Sequence, residues 1–172
     1  MATNQPELHL MAGKIASGKS TFAASLSAAC GGIVISEDRW LSGLFSQEMR
    51  SLKDYVQYSR RLRDVVKPHV VDLLKCGATV VLDFPANTPE NRAWLVSIGR
   101  DAGVRPTLHF LDVSDEVCLQ RLHARNASGI HPFQVSDAQF QQVARHFVPP
   151  TEAEGFHVIT HGPDQQPEQR SQ

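Results

Sequence analysis

The sequence predicts an α/β protein in which a parallel β-sheet carries helices on both faces. Short apolar runs alternate with helical patterns along nearly all of the 172 residues, and strands joined through helices form right-handed parallel units. No internal repeat or linker interrupts this alternation. The length suits one domain of ordinary size. We therefore expect residues 1–162 to form that domain and the polar residues 163–172 to be a disordered tail.

The predicted strands are short runs of apolar and β-branched residues. Continuous apolar runs of this kind are typical of strands that are buried on both faces of a parallel sheet. The five predicted strands cover residues 8–12, 33–35, 79–84, 107–113 and 156–160.

The predicted helices follow from start and stop signals. Thr88 followed by Pro89 begins one helix, and Ser136 with Gln139 forms a capping box that begins another. Pro68 lies inside the longest helical pattern, so we expect a kink or a break there. The predicted helices cover residues 20–29, 52–75, 89–102, 114–125 and 136–147, with a loop over 126–133.

The composition restricts the classes of function that the chain can have. A net charge of −1 gives no general attraction to nucleic acid or anionic lipid, so a polyanion needs a local site. The three cysteines lie far apart and form neither a CxxC pair nor a disulfide framework. The chain has no long apolar run and no signal-peptide pattern at its start, so we expect a cytoplasmic protein without a membrane span.

Residues 13–21, "GKIASGKST", match the pattern G-x-x-x-x-G-K-[ST] of a phosphate-binding loop. In such a loop glycines let the backbone approach phosphate oxygens, and the helix that follows directs its first N–H groups at the same anion. We expect Lys19 to reach the β- and γ-phosphates of a nucleotide and Ser20 to bind Mg²⁺. The remaining predicted nucleotide-binding residues are Gly13, Ala16, Ser17, Gly18 and Thr21.

Two aspartates follow predicted strands and should lie at the edge of the sheet near Lys19, because the carboxyl ends of parallel strands face the ligand crevice. Asp83 ends an apolar run and is predicted to hold Mg²⁺ or its water; the alternatives are a helix cap or a surface acid. Asp38 lies in "ISEDRW", directly after the second strand. Its alternative is to cap a helix that starts near Trp40.

Arg121 and Arg125 are four residues apart, so they share one face of the fifth predicted helix. The loop after them is rich in small residues and is predicted to be a short lid whose arginines close over the transferred phosphate. The alternative is a pair of solvated arginines on a surface helix.

Three basic residues, Arg60, Arg63 and Lys67, can share a face of the longest helix. This basic stripe has two possible roles. It could bind a substrate phosphate or a single strand of nucleic acid, or it could be a solvated helix face without a ligand. Arg92, in the first turn of its helix, is a further candidate to point toward the crevice.

Five segments together resemble the small P-loop kinases often called AAA-type ATP-binding predicted kinases. This group is similar to phage polynucleotide kinase, chloramphenicol phosphotransferase and the zeta toxins. The resemblance spans nearly the whole chain up to Phe156. Its segments are "GKIASGKST", "ISEDRW", "VVLDFPANTPENR", "LHFLDVSDEVCLQRLHARN" and "FVPPTEAEGF".

The resemblance implies a three-layer P-loop kinase fold with strand order 2-3-1-4-5, and transfer of the γ-phosphoryl group of ATP to a hydroxyl group with Mg²⁺. Members similar to phage polynucleotide kinase use an aspartate just after the second strand as general base, and Asp38 falls there. Their lid arginines match Arg121 and Arg125. With Lys19 from the phosphate-binding loop, these residues form the predicted catalytic set.

One departure from the polynucleotide kinase pattern bears on the substrate. That pattern has an arginine three positions after the aspartate, where this chain has Leu41, and the nearest arginine is Arg39. We therefore favour a small hydroxylated acceptor over a nucleic-acid end, although a nucleotide end stays possible. Two other functions are open: a regulatory module that hydrolyses ATP slowly, and a zeta-like toxin kinase that needs an antitoxin partner.

Overall fold

A single five-stranded parallel sheet forms the centre of the computed structural model, which describes residues 5–129, 134–165 and 167. The strands lie in the order β2-β3-β1-β4-β5, and all neighbours are parallel. This confirms the predicted fold class and strand order. Most of the polar tail expected after residue 162 lies outside the described residues. The strands are β1 (Leu8–Ala12), β2 (Ile33–Ser36), β3 (Val80–Asp83), β4 (Thr107–Leu111) and β5 (His157–His161).

The helices connect the strands and cover both faces of the sheet. Thr88 and Ser136 cap their helices as predicted, and Ser136 forms the expected capping box with Gln139. Within the described residues the helices are α1 (Lys19–Cys30), α2 (Glu37–Phe45), α3 (Leu52–Lys75), α4 (Pro89–Ala102), α5 (Asp115–Ser128) and α6 (Asp137–Ala144), with a 3₁₀ turn at Glu152–Glu154. None of these helices is long and apolar enough to cross a membrane.

Several segments differ from the prediction. Helix α6 ends at Ala144 and not near residue 147, and β4 ends at Leu111 and not at residue 113. The sequence indicated a helix after β2 only as the alternative that starts near Trp40, whereas α2 already begins at Glu37. Helix α5 continues to Ser128, so the first part of the predicted lid loop is helical. Residues 130–133, which include His131 and the rest of that loop, lie outside the described residues.

Helix α3 runs through Pro68 without the break that the sequence suggested. A proline removes the hydrogen bond to the carbonyl group four residues earlier, here that of Asp64. Both residues are exposed, so water can bind that carbonyl group, and the buried side of the helix is not disturbed.

Alternating side chains of the strands form one apolar cluster on each face of the sheet. On one face Leu10 and Leu82 pack with Val66 and Leu74 of α3 and with Leu95 of α4. Each of these side chains is fully buried, and burial of one such side chain stabilises the fold by about 1.5–3 kcal/mol.

The second cluster lies on the opposite face, where Met11 and Val81 of the sheet pack with Phe22 of α1, Leu122 of α5 and Phe140 of α6. The two clusters hold the ends of β1, β2 and β3 in fixed relative positions. The loops that follow these three strands therefore meet at one edge of the sheet.

Candidate active site

The loop after β1 has backbone conformations that favour glycine. Gly13 has a φ of 151°, and a Cβ atom there would lie 2.6 Å from Oγ of Ser17 and 3.0 Å from the carbonyl oxygen of Leu111. Gly18 has a φ of 102°. Ala16 has a φ of 60°, a left-handed conformation that costs an alanine about 1–2 kcal/mol. The shape of the loop therefore requires the glycines of the motif and stores strain at Ala16.

The first turn of α1 leaves its N–H groups open at the end of this loop. The N-cap position is Gly18, no side chain of the described residues caps the turn, and no acidic residue lies in it. The N–H groups of such a turn lack partners within the helix, and the helix dipole favours negative charge there. The turn is therefore suited to bind an anion such as phosphate.

Lys19 forms hydrogen bonds within the loop and interacts electrostatically with two carboxylates. Its Nζ donates hydrogen bonds to the carbonyl oxygens of Gly13 and Lys14, both at 2.8 Å. Burial lowers the pKa of this amine, and the negative charges of Asp83 and Asp38 oppose that shift. The structure thus brings Lys19, Asp83 and Asp38 together, although they lie far apart in the sequence.

Asp83 is held by the parallel pairing of β2 with β3. This register places Ser36 beside Asp83, and the Ser36 hydroxyl donates to Oδ2 of Asp83 at 3.2 Å. Among the described residues there is no group of three or more His, Cys, Asp or Glu side chains that could hold a metal ion. One carboxylate and the Ser20 hydroxyl nevertheless fit Mg²⁺, which usually takes one or two protein ligands and completes its shell with phosphate and water.

A crevice of about 1200 Å³ lies at this edge of the sheet. We call one wall of the crevice the P-loop side; it consists of the loop over residues 13–21 together with Arg121 and Arg125. We call the other wall the α3 side; it consists of the residues of α3 that face the crevice, together with Glu37, Asp38 and Asn91. Lys19, Ser20, Asp38 and Asp83 all line the crevice. A cavity of this size, with polar groups converging from several elements, is typical of a ligand site.

The two adjacent carboxylates of "ISEDRW" have different surroundings. Helix α2 begins at Glu37 with Ser36 at its N-cap position, so the alternative that Asp38 caps a helix starting near Trp40 is wrong. Side chains of consecutive helical residues are about 100° apart around the axis. Asp38 is half-buried and lines the crevice, whereas the side chain of Glu37 is only 1% exposed.

Sequence reasoning missed the network around Glu37. Its Oε1 accepts hydrogen bonds from Ser59 Oγ at 2.6 Å and Arg63 Nε at 3.2 Å, and its Oε2 accepts one from the Tyr55 hydroxyl at 3.0 Å. Arg63 also donates to Oδ1 of Asn91 at 3.0 Å. A buried carboxylate requires such partners. The available signal was the four-residue spacing of Tyr55, Ser59 and Arg63, which places them on one helix face.

Of the three basic residues in the stripe on α3, two form ion pairs with carboxylates and one does not. Arg63 belongs to the Glu37 network, and its guanidinium also lies 5.1 Å from the ring centroid of Trp94. Lys67 forms an ion pair with Asp101 at 2.8 Å and turns away from the crevice. Arg60 is exposed and lines the crevice. The stripe is therefore not a continuous basic surface.

The arginines of α5 lie on the P-loop side. Arg121 donates to the carbonyl oxygens of Ser17 at 3.1 Å and Pro163 at 2.9 Å. Arg125 lines the crevice, and its buried Nε has no hydrogen-bond partner among the described residues. Burial lowers the pKa of its guanidinium and Asp38 opposes this, but arginine remains charged at any physiological pH.

Arg92 does not point toward the crevice, contrary to the sequence-based suggestion. It is fully buried and forms an ion pair with Glu154, with its Nε 2.7 Å from Oε2. It also donates to the carbonyl oxygens of Ala86 and Val148 at 3.0 and 2.8 Å. A buried guanidinium requires hydrogen-bond partners for its donors. Because Val148 and Glu154 lie in the segment after α6, Arg92 holds that segment against α4.

Comparison with known proteins agrees with this fold. A sequence model of the AAA domain family matches residues 8–150, which is most of the chain. Among curated proteins, no sequence matches significantly.

Solved structures of kinases share the fold. A candidate kinase from Chloroflexus aurantiacus superposes with a TM-score of 0.73 at 19% identity, covering 92% of this chain and 88% of the other. The APS kinase of Mycobacterium tuberculosis, solved with AMPPNP and APS, gives 0.63 at 23% identity, covering 94% and 91%. Kti12 of Chaetomium thermophilum, solved with ADP-AlF3, gives 0.67 at 16% identity, covering 91% and 89%. At these identities the likeness shows a common P-loop kinase fold.

Proposed function

Since the chain belongs to the AAA domain family, we propose that it is an ATP-dependent phosphotransferase, which moves the γ-phosphoryl group of ATP to a hydroxyl group of a small molecule. One observation carries this proposal: the crevice has a phosphate-binding loop on one side, and Asp38 beside a fixed polar network on the other. A module that only binds or slowly hydrolyses ATP needs the first side alone.

The P-loop side would hold the nucleotide. The N–H groups of the loop and of the first turn of α1 would bind the β- and γ-phosphates. Lys19 would exchange its two carbonyl partners for phosphate oxygens and stabilise the charge that develops on them. Ser20 and Asp83 would hold Mg²⁺, which when bound neutralises charge on the phosphates.

The α3 side would hold the acceptor. The carboxylate of Asp38 would accept the proton of the attacking hydroxyl group while the new O–P bond forms and the bond from the γ-phosphorus to the bridging oxygen breaks. In a loose transition state the proton leaves late, so an aspartate of ordinary basicity suffices. Its main contribution is to align the attacking oxygen with the γ-phosphorus.

The arginines of α5 would act on the transferred group. The Nε group of Arg125 is a buried donor without a partner among the described residues, so a phosphate oxygen would satisfy it. Arg121 is already fixed against the loop through Ser17 and would add positive charge near the phosphates.

The test is acceptor-dependent release of ADP. Purified protein is supplied with ATP and Mg²⁺, with and without a panel of alcohols and an oligonucleotide with a free 5′-hydroxyl end, and products are analysed by mass spectrometry. The proposal predicts faster ADP release with a suitable alcohol and a product that carries one added phosphoryl group. Slow ADP release that no acceptor accelerates would instead support the regulatory module.

A further inference from the structure

Resting on the phosphotransferase function above, we propose that the acceptor is a small molecule with an anionic group, which Arg60 of α3 binds beside the reacting hydroxyl group. The anionic group is a phosphate, sulfate or carboxylate, since these are the groups that a guanidinium binds in planar, often bidentate geometry.

The position of Arg60 connects it to the proposed base. Two adjacent rows of α3 residues, each with a four-residue spacing, line the crevice. One row is Tyr55, Ser59 and Arg63, and the other is Val56 and Arg60. Ser59, the residue before Arg60, donates to Glu37 at 2.6 Å, and Glu37 directly precedes Asp38. Asp38 and Arg60 line the same crevice, so an acceptor that places its hydroxyl group at Asp38 has Arg60 within the same cavity.

The charge balance of this wall favours an anion. Glu37 is satisfied by its three donors, and Arg63 and Lys67 are paired with carboxylates. Arg60 forms no ion pair or hydrogen bond with any described residue. Arg50, just before α3, also lines the crevice, and among the described residues its guanidinium donates only to the carbonyl oxygen of Gln47 at 3.4 Å. The guanidinium groups of Arg50 and Arg60 thus line the crevice without a carboxylate partner among the described residues.

The same wall argues for a small organic anion rather than a strand of nucleic acid. A strand requires a continuous row of cations, and the row is interrupted because Arg63 and Lys67 are tied to the protein. The crevice also exposes apolar side chains, with Val56 61% and Val143 40% accessible. A ligand that covers them gains hydrophobic contact beside its anionic group.

Direct anion binding tests this inference without knowledge of the acceptor. Protein saturated with Mg²⁺ and AMPPNP, so that the P-loop is filled, is titrated with inorganic phosphate, sulfate or acetate by calorimetry or NMR. We expect saturable binding of at least one anion, weakened about tenfold or more in Arg60→Ala and less in Arg60→Lys. Arg61→Ala is the matched control, because Arg61 is an exposed neighbour that lies over Tyr58 and does not line the crevice. Absence of anion binding to the loaded protein, or equal weakening in Arg60→Ala and Arg61→Ala, overturns the inference.

Turnover supplies a second readout. Acceptors are compared that differ in one anionic group, such as glycerol, glycerol 3-phosphate and glycerate, together with a 5′-hydroxyl oligonucleotide. We expect kcat/KM to be at least about tenfold higher for an anionic member, with this advantage lost in Arg60→Ala and retained in Arg61→Ala. Preference for the neutral alcohol or the oligonucleotide overturns the inference and leaves the phosphotransferase function standing. Failure to bind AMPPNP refutes that function itself. If no acceptor in the panel reacts, the binding titration decides alone.

Discussion

The two sides of the crevice hold their polar groups in different ways. On the P-loop side the groups come from one continuous segment, residues 13–21, together with two arginines of α5. The first turn of α1 has no cap, and Nε of Arg125 has no partner among the described residues. On the α3 side, Glu37 is bound by residues that lie 18 to 26 positions away in the sequence. The polar groups of the P-loop side are thus open to a ligand, whereas on the α3 side the buried Glu37 is already satisfied by protein donors and Arg60 is open.

This difference determines which residues of each wall can be substituted without loss of the site. A phosphate site made of backbone N–H groups depends on loop shape, so it requires glycine at fixed positions and shows as a motif. A wall positioned by side-chain contacts between α2, α3 and α4 depends on which residues meet in space. Such a wall can change its open residues, such as Arg60, without any change in the loop. In the proposed function the P-loop side therefore binds the phosphate donor, whereas the α3 side, with Asp38 and Arg60, activates and selects the acceptor.

The largest expected effect comes from removing the central charge of the P-loop side. Lys19→Ala should abolish detectable phosphoryl transfer, a loss of at least about 10³-fold, because Lys19 is the cation of the loop that would contact the β- and γ-phosphates directly as charge develops on them. Steady-state kinetics with a circular dichroism check of folding would measure this. Lys75→Ala is the matched control, since Lys75 is an exposed lysine at the end of α3 that does not line the crevice. Turnover of Lys19→Ala near the wild-type rate would refute the P-loop as the reactive site.

A smaller effect is expected from the arginines of α5. Replacing Arg121 and Arg125 by alanine should lower kcat by about ten- to a hundredfold and weaken ATP binding much less, because they act on charge that grows in the transition state. The measurement is kcat beside the dissociation constant of ATP, with Arg145→Ala as an exposed control outside the crevice. Equal losses in kcat and affinity, or none in either, would make them ordinary surface charges.

The smallest effect on turnover is expected from the network of the α3 side. Glu37→Gln leaves Arg63 without its ionic partner, so we expect a loss of about 1–3 kcal/mol in the free energy of unfolding. Well below the melting temperature kcat should fall several-fold with ATP affinity unchanged, because α2 holds Asp38 less firmly. Glu154→Gln, which disrupts the buried Arg92 pair away from the crevice, is the control that should lose stability but keep kcat. A similar kcat loss in both variants would reduce Glu37 to a purely structural role.

Local signals in the sequence were sufficient for most of the fold. Apolar runs, capping residues and glycine stops predicted the five strands and the helices α1, α3, α4, α5 and α6, while the strand order came from the family resemblance. One failure has a tertiary cause. Pro68 is tolerated in α3 because it lies on the solvent side, which the periodicity alone did not reveal. For α2 the local signals were present, with Ser36 at the N-cap position and two acidic residues in the first turn, but the sequence analysis gave this helix only as an alternative that starts near Trp40. The contacts of Glu37 with α3, which fix its first turn, have no local signal.

The same contrast holds for the candidate site. The loop, Lys19 and the two aspartates could be named from motif and strand position, because both are local features. Arg92 was misjudged because its partner Glu154 lies 62 residues away and only the packed structure shows the pair. Likewise, the separation of Arg60 from Arg63 and Lys67 follows from the positions of Glu37 and Asp101, which helical spacing cannot supply.

The most direct test of the central claim, that the α3 side activates an acceptor for the P-loop side, is single-turnover phosphoryl transfer by Asp38→Asn. Asparagine preserves the shape of the side chain but cannot take the proton, and loss of one charge in the first turn of α2 should cost at most about 1 kcal/mol of stability. The account predicts normal folding and normal ATP binding, with transfer to the acceptor slowed by roughly 10²-fold or more. Transfer at the wild-type rate in this variant would contradict the account and leave Asp38 as a residue that only stabilises the start of α2.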